Sequence, residues 1–261
     1  MGENMRLQIK NLNVSINDKK VLKDFNLQIE PATTHVIMGP NGVGKSTLSR
    51  VILGDKNYQV DSGDILFNDE SIITLSTDKR SKLGIFLAMQ YPQEIEGISN
   101  QDFLRTALAS KEGKNISLYD FILKCDQITN DLKMDKNLIH RSLNVGFSGG
   151  EKKKNEVLQI RLLKPSLIIL DELDSGLDVD SLRIVAENIS KYKEENPDTS
   201  ILIITHHPKI LEYIHPDYVH LMIDGQIKES KDYSLALEIE KKGYTTYLSE
   251  ANIIDRKTKD E

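Results

Sequence analysis

Residues 39–47 read GPNGVGKST. They follow a short apolar run, THVIM (34–38), and lead into STLSRVIL (46–53), where Leu48, Val51 and Ile52 share one helical face. Gly39, Gly44, Lys45 and Ser46 satisfy G-x-x-x-x-G-K-[ST] in the strand–loop–helix setting that this pattern requires. The glycines let the backbone curl so that successive N–H groups point at one anion. A helix N-terminus adds about half a positive charge at the same place. Across Gly39, Pro40, Asn41, Gly42, Val43, Gly44, Lys45, Ser46 and Thr47 the expected ligand is a phosphate chain, with Lys45 on its β- and γ-phosphates and the Ser46 hydroxyl on Mg²⁺. A glycine-rich turn without a ligand is the plainer reading, and the strand and helix on either side speak against it.

Such a loop needs a carboxylate for its metal ion. LIILDE (167–172) supplies one: four apolar residues of a buried strand, then Asp171 and Glu172 at its carboxyl end, where parallel sheets bind ligands. Asp171 is expected to hold Mg²⁺ through water. Glu172 points the other way and is placed to act as a general base on water. Two solvated acids at a strand end would look the same in isolation.

The rest of the chain frames these two segments. Residues 6–16 and 21–29 alternate like strands around NDKK, and GDILFNDESI (63–72) reads as an exposed strand. GIFLAMQ (84–90) and ILIITHH (201–207) read as buried strands, the latter joined to LIILDE by a helical stretch to make a βαβ unit. Between about Ser99 and Leu143 the pattern is helical and polar, without strand runs. Residues 218–230 carry the Asp224-Gly225 hairpin signal, and the tail from 231 is helical, then charged. The 261 residues, 39 % apolar and 28 % charged, suffice for a large core. The net charge of −6 argues against a nucleic-acid partner. No apolar run is long enough to span a membrane, and the start of the chain lacks an apolar leader, so a cytoplasmic location is expected. The lone Cys125 makes no intrachain disulfide and cannot supply the four thiolates of an iron–sulfur cluster.

One stretch resists this reading. NVGFSGGEKKKNEV (144–157) opens a helical pattern on Ser148, Gly149 and Gly150, although glycine costs a helix about 1 kcal/mol relative to alanine. It also sets Lys152, Lys153 and Lys154 in the first turns, where the helix dipole disfavours cations. Taken alone, it is a capped helix after a loop, with a solvated basic run.

GPNGVGKST, Gln90 after a buried strand, FSGGE (147–151), LIILDE, SGLD (175–178) and ITHH (204–207) together resemble the ATP-binding cassette ATPases, in the order of that family and over nearly the whole chain. The resemblance implies an α/β P-loop NTPase (ABC ATPase) fold: a mixed sheet core with an antiparallel β subdomain and an inserted helical subdomain. One domain over 1–261 is expected, with 1–92 and 144–261 as the core and 93–143 as the helical insert. It implies an ATP hydrolase using ATP and Mg²⁺, and a transient ATP-dependent homodimer in which Ser148, Gly149, Gly150 and Glu151 close on the nucleotide of the other copy. The glycines then keep the approach to the γ-phosphate free of side chains. The three lysines either add charge near that phosphate chain or face solvent. Gln90 is expected to sense Mg²⁺ and the attacking water, Asp178 to touch the dimer seam, and His206 to stabilise the γ-phosphate; His207 is given no role. Phe147 replaces the usual leucine. Ile16 stands where an aromatic residue usually stacks on adenine, which puts base selectivity in doubt. Thr33-Thr34 replaces Gly-Glu, with no evident consequence.

MQYPQEIEGIS (89–99), NVGFSGGEKKKNEVLQ (144–159) and LDELDSGLDVDSLRIV (170–185) further resemble the SufC-type ATPases of iron–sulfur cluster assembly, with Asp174 in place of a threonine. That resemblance implies SufB/SufD-like scaffold partners that carry the cluster chemistry. The alternative is the cytoplasmic ATPase subunit of an ABC membrane transporter. In either case the partner surface is expected between Gln90 and Leu104, including Tyr91, Pro92, Ile95 and Ile98; seating of the insert on the core is the competing use of those residues.

Overall fold

Strands with apolar residues on both faces need cover on both sides, and this requirement organises the molecule. The structure, a computed structural model, describes residues 5–206 and 208–247; His207 and the charged end of the tail lie outside the described residues. The chain begins with an antiparallel hairpin, β1 (Leu7–Ile16) and β2 (Lys19–Ile29). Asn17 and Asp18 turn it, both at positive φ, as a tight hairpin demands. Then follow β3 (Thr34–Met38), α1 (Lys45–Leu53), β4 (Gln59–Phe67), β5 (Glu70–Ser71), α2 (Thr77–Leu83) and β6 (Ile85–Ala88). Residues 63–72 are therefore not one exposed strand. Asn68 and Asp69, again at positive φ, fold the segment back on itself, and Ile65, Phe67 and Ile72 are buried.

Next come β7 (Ile95–Ser99), α3 (Asn100–Glu112), α4 (Leu118–Asp131), a 3₁₀ turn at Lys136–His140, and β8 (Ser142–Leu143). β8 is a strand within the segment expected to have none. It pairs with β7, so the helical segment leaves and re-enters the fold through one clasp. The chain continues with α5 (Gly149–Leu163), β9 (Leu167–Asp171), α6 (Val179–Glu195), β10 (Ser200–Thr205), β11 (Tyr218–Ile223), β12 (Gln226–Lys231) and α7 (Ser234–Lys242).

The central sheet runs β12-β11-β3-β10-β9-β6, parallel apart from the β11–β12 hairpin. The β2-β1-β4-β5 sheet is antiparallel. Successive strand residues serve opposite faces. Val36, Met38, Ile168 and Leu170 join the cluster beneath α5, α6 and the insert helices. Ile37, Leu167 and Ile169 join the cluster shared with α1 and the antiparallel sheet. Arg80 of α2, 3 % exposed, donates to the carbonyls of Val51 and Ile52 at 2.8 and 2.9 Å. A cation at the carboxyl end of α1 satisfies its orphan acceptors and complements its dipole.

A buried histidine pair stands between β3 and β11. His35 Nδ1 lies 2.9 Å from His220 Nε2, and His220 Nδ1 lies 2.7 Å from Ser230 Oγ. Burial holds both rings neutral, His35 down to about 4 and His220 to about 3; Asp217 acts to raise His35, and Lys193 to lower it further. The unfolded chain takes up these protons near 6.5. The pair therefore contributes its full stability above that pH and loses it as pH falls toward 4, by about 1.4 kcal/mol per pH unit for each ring. Comparing urea midpoints of the unmodified chain and a His35→Gln/His220→Gln variant at pH 7.5 and 5.5 checks this. The acid-induced drop should be the larger in the unmodified chain.

Candidate nucleotide site

Four segments reach the same edge of the sheet because their strands are parallel and in register. Met38 lies opposite Thr205, Asp171 opposite Ile204, and Ala88 opposite Leu170. The 39–44 loop, Asp171-Glu172, His206 and Gln90 follow directly from those positions. The sequence places each at a strand end; the register sets them level.

The loop is shaped by contacts that leave no room for side chains. A Cβ on Gly39 would sit 2.3 Å from the Met222 carbonyl oxygen. Gly44 has φ 105°, in the left-handed region, and caps α1. Lys45 is 5 % exposed and donates from Nζ to the carbonyls of Gly39 at 2.7 Å and Pro40 at 3.0 Å. Burial lowers its pKa, while Glu172 and Asp171 act to raise it. The ammonium is thus held inside its own loop by neutral carbonyls, and an anion entering the loop would be a better partner for it. These features fit a phosphate chain.

Asp171 is 4 % exposed. Its carboxylate accepts from Ser46 Oγ at 3.2 Å and from Ser49 Oγ at 2.8 Å. Burial pushes its pKa up, and the two hydroxyls hold it back. A hard oxygen set formed by a carboxylate and a hydroxyl suits Mg²⁺. Ser49 escapes the sequence reading, although its position one turn after Ser46 is the available signal.

Glu172 has φ 47°, uncommon for a residue with a side chain. Its N–H donates to the Ile204 carbonyl at 2.8 Å, which fixes this conformation. One carboxylate oxygen accepts from the Gln90 amide, and the other lies 3.3 Å from His206 Nδ1. Three expected site residues from three different strand ends therefore meet at one carboxylate. Tyr244, after α7, is not expected from sequence; its hydroxyl donates to the His206 carbonyl at 3.4 Å. Ile16 lines a cleft of about 740 Å³ with Lys19, Lys20 and residues 40–43.

The turn at 148–150 caps α5 with a capping box. Ser148 Oγ accepts the Glu151 N–H at 3.3 Å, and Glu151 Oε2 accepts the Ser148 N–H at 2.7 Å. The cap leaves the Ser148 hydroxyl proton free for another acceptor. Asp178 caps α6, accepting the Ser181 N–H at 2.8 Å. A Cβ on Gly150 would approach Ser181 Oγ to 3.1 Å, so that glycine also serves packing within one chain.

The three lysines require a correction. Lys153 neither faces solvent nor points to a phosphate. It is 2 % exposed and paired with Glu156 at 3.1 Å. Lys152 Nζ lies 2.6 Å from Glu94, and Lys154 donates to the Lys133 carbonyl at 3.3 Å. The expected partner surface also needs trimming: Tyr91, Ile95 and Ile98 are exposed, but Leu104 is 1 % exposed and belongs to the core.

The family described as ABC transporter matches residues 22–175. The chain belongs to this family. It is an ATP hydrolase of the cassette type, using ATP and Mg²⁺. Vegetative protein 296 of Bacillus subtilis (strain 168) is 46 % identical over 251 residues, covering 95 % of each chain. A probable ABC transporter ATP-binding protein of Streptococcus pyogenes serotype M3 is 48 % identical over 240 residues, covering 91 % of this cassette and 93 % of its own length. A probable ATP-dependent transporter of Synechocystis sp. is 48 % identical over 242 residues, covering 91 % and 94 %. Among solved structures, the dimeric structure of MJ0796, a bacterial ABC transporter cassette, superposes with a TM-score of 0.75 at 19 % identity over 87 % of this cassette and 98 % of that chain. The P-loop NTPase fold of ABC cassettes is thereby established, with antiparallel and parallel sheets and several helices.

Proposed function

We propose that two copies of this cassette pair head to tail and hydrolyse MgATP between the 39–47 loop of one and the 148–151 turn of the other. The observation that carries this reading is the Glu172 carboxylate, bonded to Gln90 and 3.3 Å from His206 Nδ1 beside the phosphate loop. Gly39 to Thr47 would bind the phosphates, with Lys45 exchanging its carbonyl partners for them. Mg²⁺, held by Ser46, Asp171 and Gln90, would neutralise charge on the phosphate oxygens. Glu172 would take the proton of the attacking water, oriented by Gln90, while His206 turns toward the γ-phosphate. Ser148, Gly149 and Gly150 would offer a hydroxyl and the N-terminus of α5 from across the seam, with Glu151 holding that turn in shape and Asp178 lining the joint.

The partner that receives the motion has two readings. The names of the relatives favour a membrane transporter subunit. Among the described residues no helix is long and apolar enough to cross a membrane, so the span would belong to that partner. The second reading is an iron–sulfur cluster assembly (SUF) complex with SufB/SufD-like scaffold proteins. It is favoured by the SufC-like stretches quoted above and by Asp174, whose carboxylate accepts the Thr205 hydroxyl at 3.1 Å and so ties residue 174 to the strand end before His206. In both, exposed Tyr91, Ile95 and Ile98 mark the docking surface next to Gln90. Affinity purification of the tagged chain from its own cells separates them. A co-purifying integral membrane protein supports the transporter. A membrane-free complex with iron and acid-labile sulfide supports the scaffold reading and refutes the other.

A further inference from the structure

Lys153 and Glu156 sit one turn apart on α5, 2 % and 4 % exposed. Their side chains reach the chain just ahead of Gln90. The Met89 N–H donates to Glu156 Oε1 at 2.7 Å. Lys153 Nζ donates to the Met89 carbonyl and to Glu156 Oε2 at 3.1 Å. β6 pairs with β9 only as far as Ala88, so Met89 has left the ladder, and two side chains of one helix supply both of its backbone partners. The other end of the segment is held from the same helix. Asn155 Nδ2 donates to Asn144 Oδ1 at 2.9 Å, and Asn144 Nδ2 donates to the Gln93 carbonyl at 2.8 Å. Residues 89–93 are thus strapped to α5 at both ends, with Gln90 between them.

A buried ion pair contributes little net stability compared with apolar residues of similar size. Its distinctive product here is a fixed position. We infer that Lys153 and Glu156 are positioning residues: they carry any displacement of the 148–150 turn, at the start of their own helix, to Gln90, and so set the amide against Glu172. Contact with nucleotide on one protomer's turn would thereby register that protomer's own carboxylate. Burial supports the assignment, since Glu156 is pushed up to about 7 and is drawn back by Lys153 and the Met89 N–H. The inference deepens the head-to-tail reading and rests on it for its fluorescence and kinetic arms, but not for amide exchange.

The chain has no tryptophan, and Tyr91 is 73 % exposed, so Tyr91→Trp gives a single reporter beside Gln90. In the reporter chain, Mg²⁺ with a non-hydrolysable ATP analogue should shift the emission. Adding Lys153→Met/Glu156→Leu should abolish the shift and lower kcat by about tenfold or more, with KM and analogue affinity within about twofold. Glu156→Gln, which keeps an acceptor for the Met89 N–H, should restore most of the shift. A folded double variant that keeps the shift overturns the inference, as does a reporter that stays silent while nucleotide binds and sedimentation shows the copies paired. Amide exchange in the unmodified chain decides the matter even if the double variant fails to fold. The Met89 N–H should exchange as slowly as the amides of α5, and exchange at the rate of an open loop overturns the clamp. If two copies never pair, sedimentation shows a monomer, turnover is low and the reporter silent in every variant while the exchange result stands, so the two failures are distinguishable.

Discussion

Glu172→Gln should lower kcat for ATP hydrolysis by about 10²–10⁴-fold, leaving KM and nucleotide affinity little changed. The glutamine is isosteric and can still meet Gln90 and His206 through one of its two ends, so the local packing survives. What it cannot do is accept the proton of an attacking water. The positive φ of Glu172 and the bond from its N–H to Ile204 are backbone features and do not depend on the charge, so the melting temperature should stay close to that of the unmodified chain. Single-turnover hydrolysis against ATP binding by calorimetry separates the two effects. Undiminished turnover would mean that the carboxylate held by Gln90 and His206 is not the base.

Lys45→Ala should lower kcat/KM by about 10²–10³-fold, largely through weakened nucleotide binding. The ammonium is buried within the loop and donates to the Gly39 and Pro40 carbonyls. Burial pulls its pKa down, with Glu172 and Asp171 opposing. A residue kept charged under such conditions is poised for a ligand. Removing it should therefore cost little or no stability, in contrast to its effect on binding. Calorimetric titration with ATP, run beside a thermal melt, reads both. A large loss of melting temperature with unchanged ATP affinity would show that Lys45 braces the loop and does no more.

The strands and the phosphate loop were legible because each is announced locally. Apolar runs of five or six residues bounded by glycine or acidic residues leave few alternatives for Val36 to Met38 or for Leu167 to Leu170. The acidic pair and Gln90 were legible as strand-end residues, since ligand chemistry collects there in parallel sheets. The convergence of Gln90 and His206 on Glu172 was not, because it depends on the register of three strands. The lysine run misled for a related reason. Three consecutive cations look like a solvated face, and only the tertiary position of Glu156 and Met89 turns the middle one inward. Likewise, the alternation of 63–72 continues across a tight turn, so periodicity alone cannot reveal the hairpin at Asn68 and Asp69.

The central claim is that each nucleotide is held by the phosphate loop of one copy and the 148–150 turn of another. Mixing two inactive proteins tests it most directly. Lys45→Ala removes the loop function. Gly149→Asp places a carboxylate where phosphate should approach, while its Cβ meets only the Gly176 carbonyl at 3.4 Å within its own protomer. Each variant alone should be inactive. Mixed in equal amounts, half the pairs would be heterodimers with one intact site each, so turnover should return to roughly a quarter of the unmodified level. A mixture as inactive as its components, with both variants folded, would contradict the account.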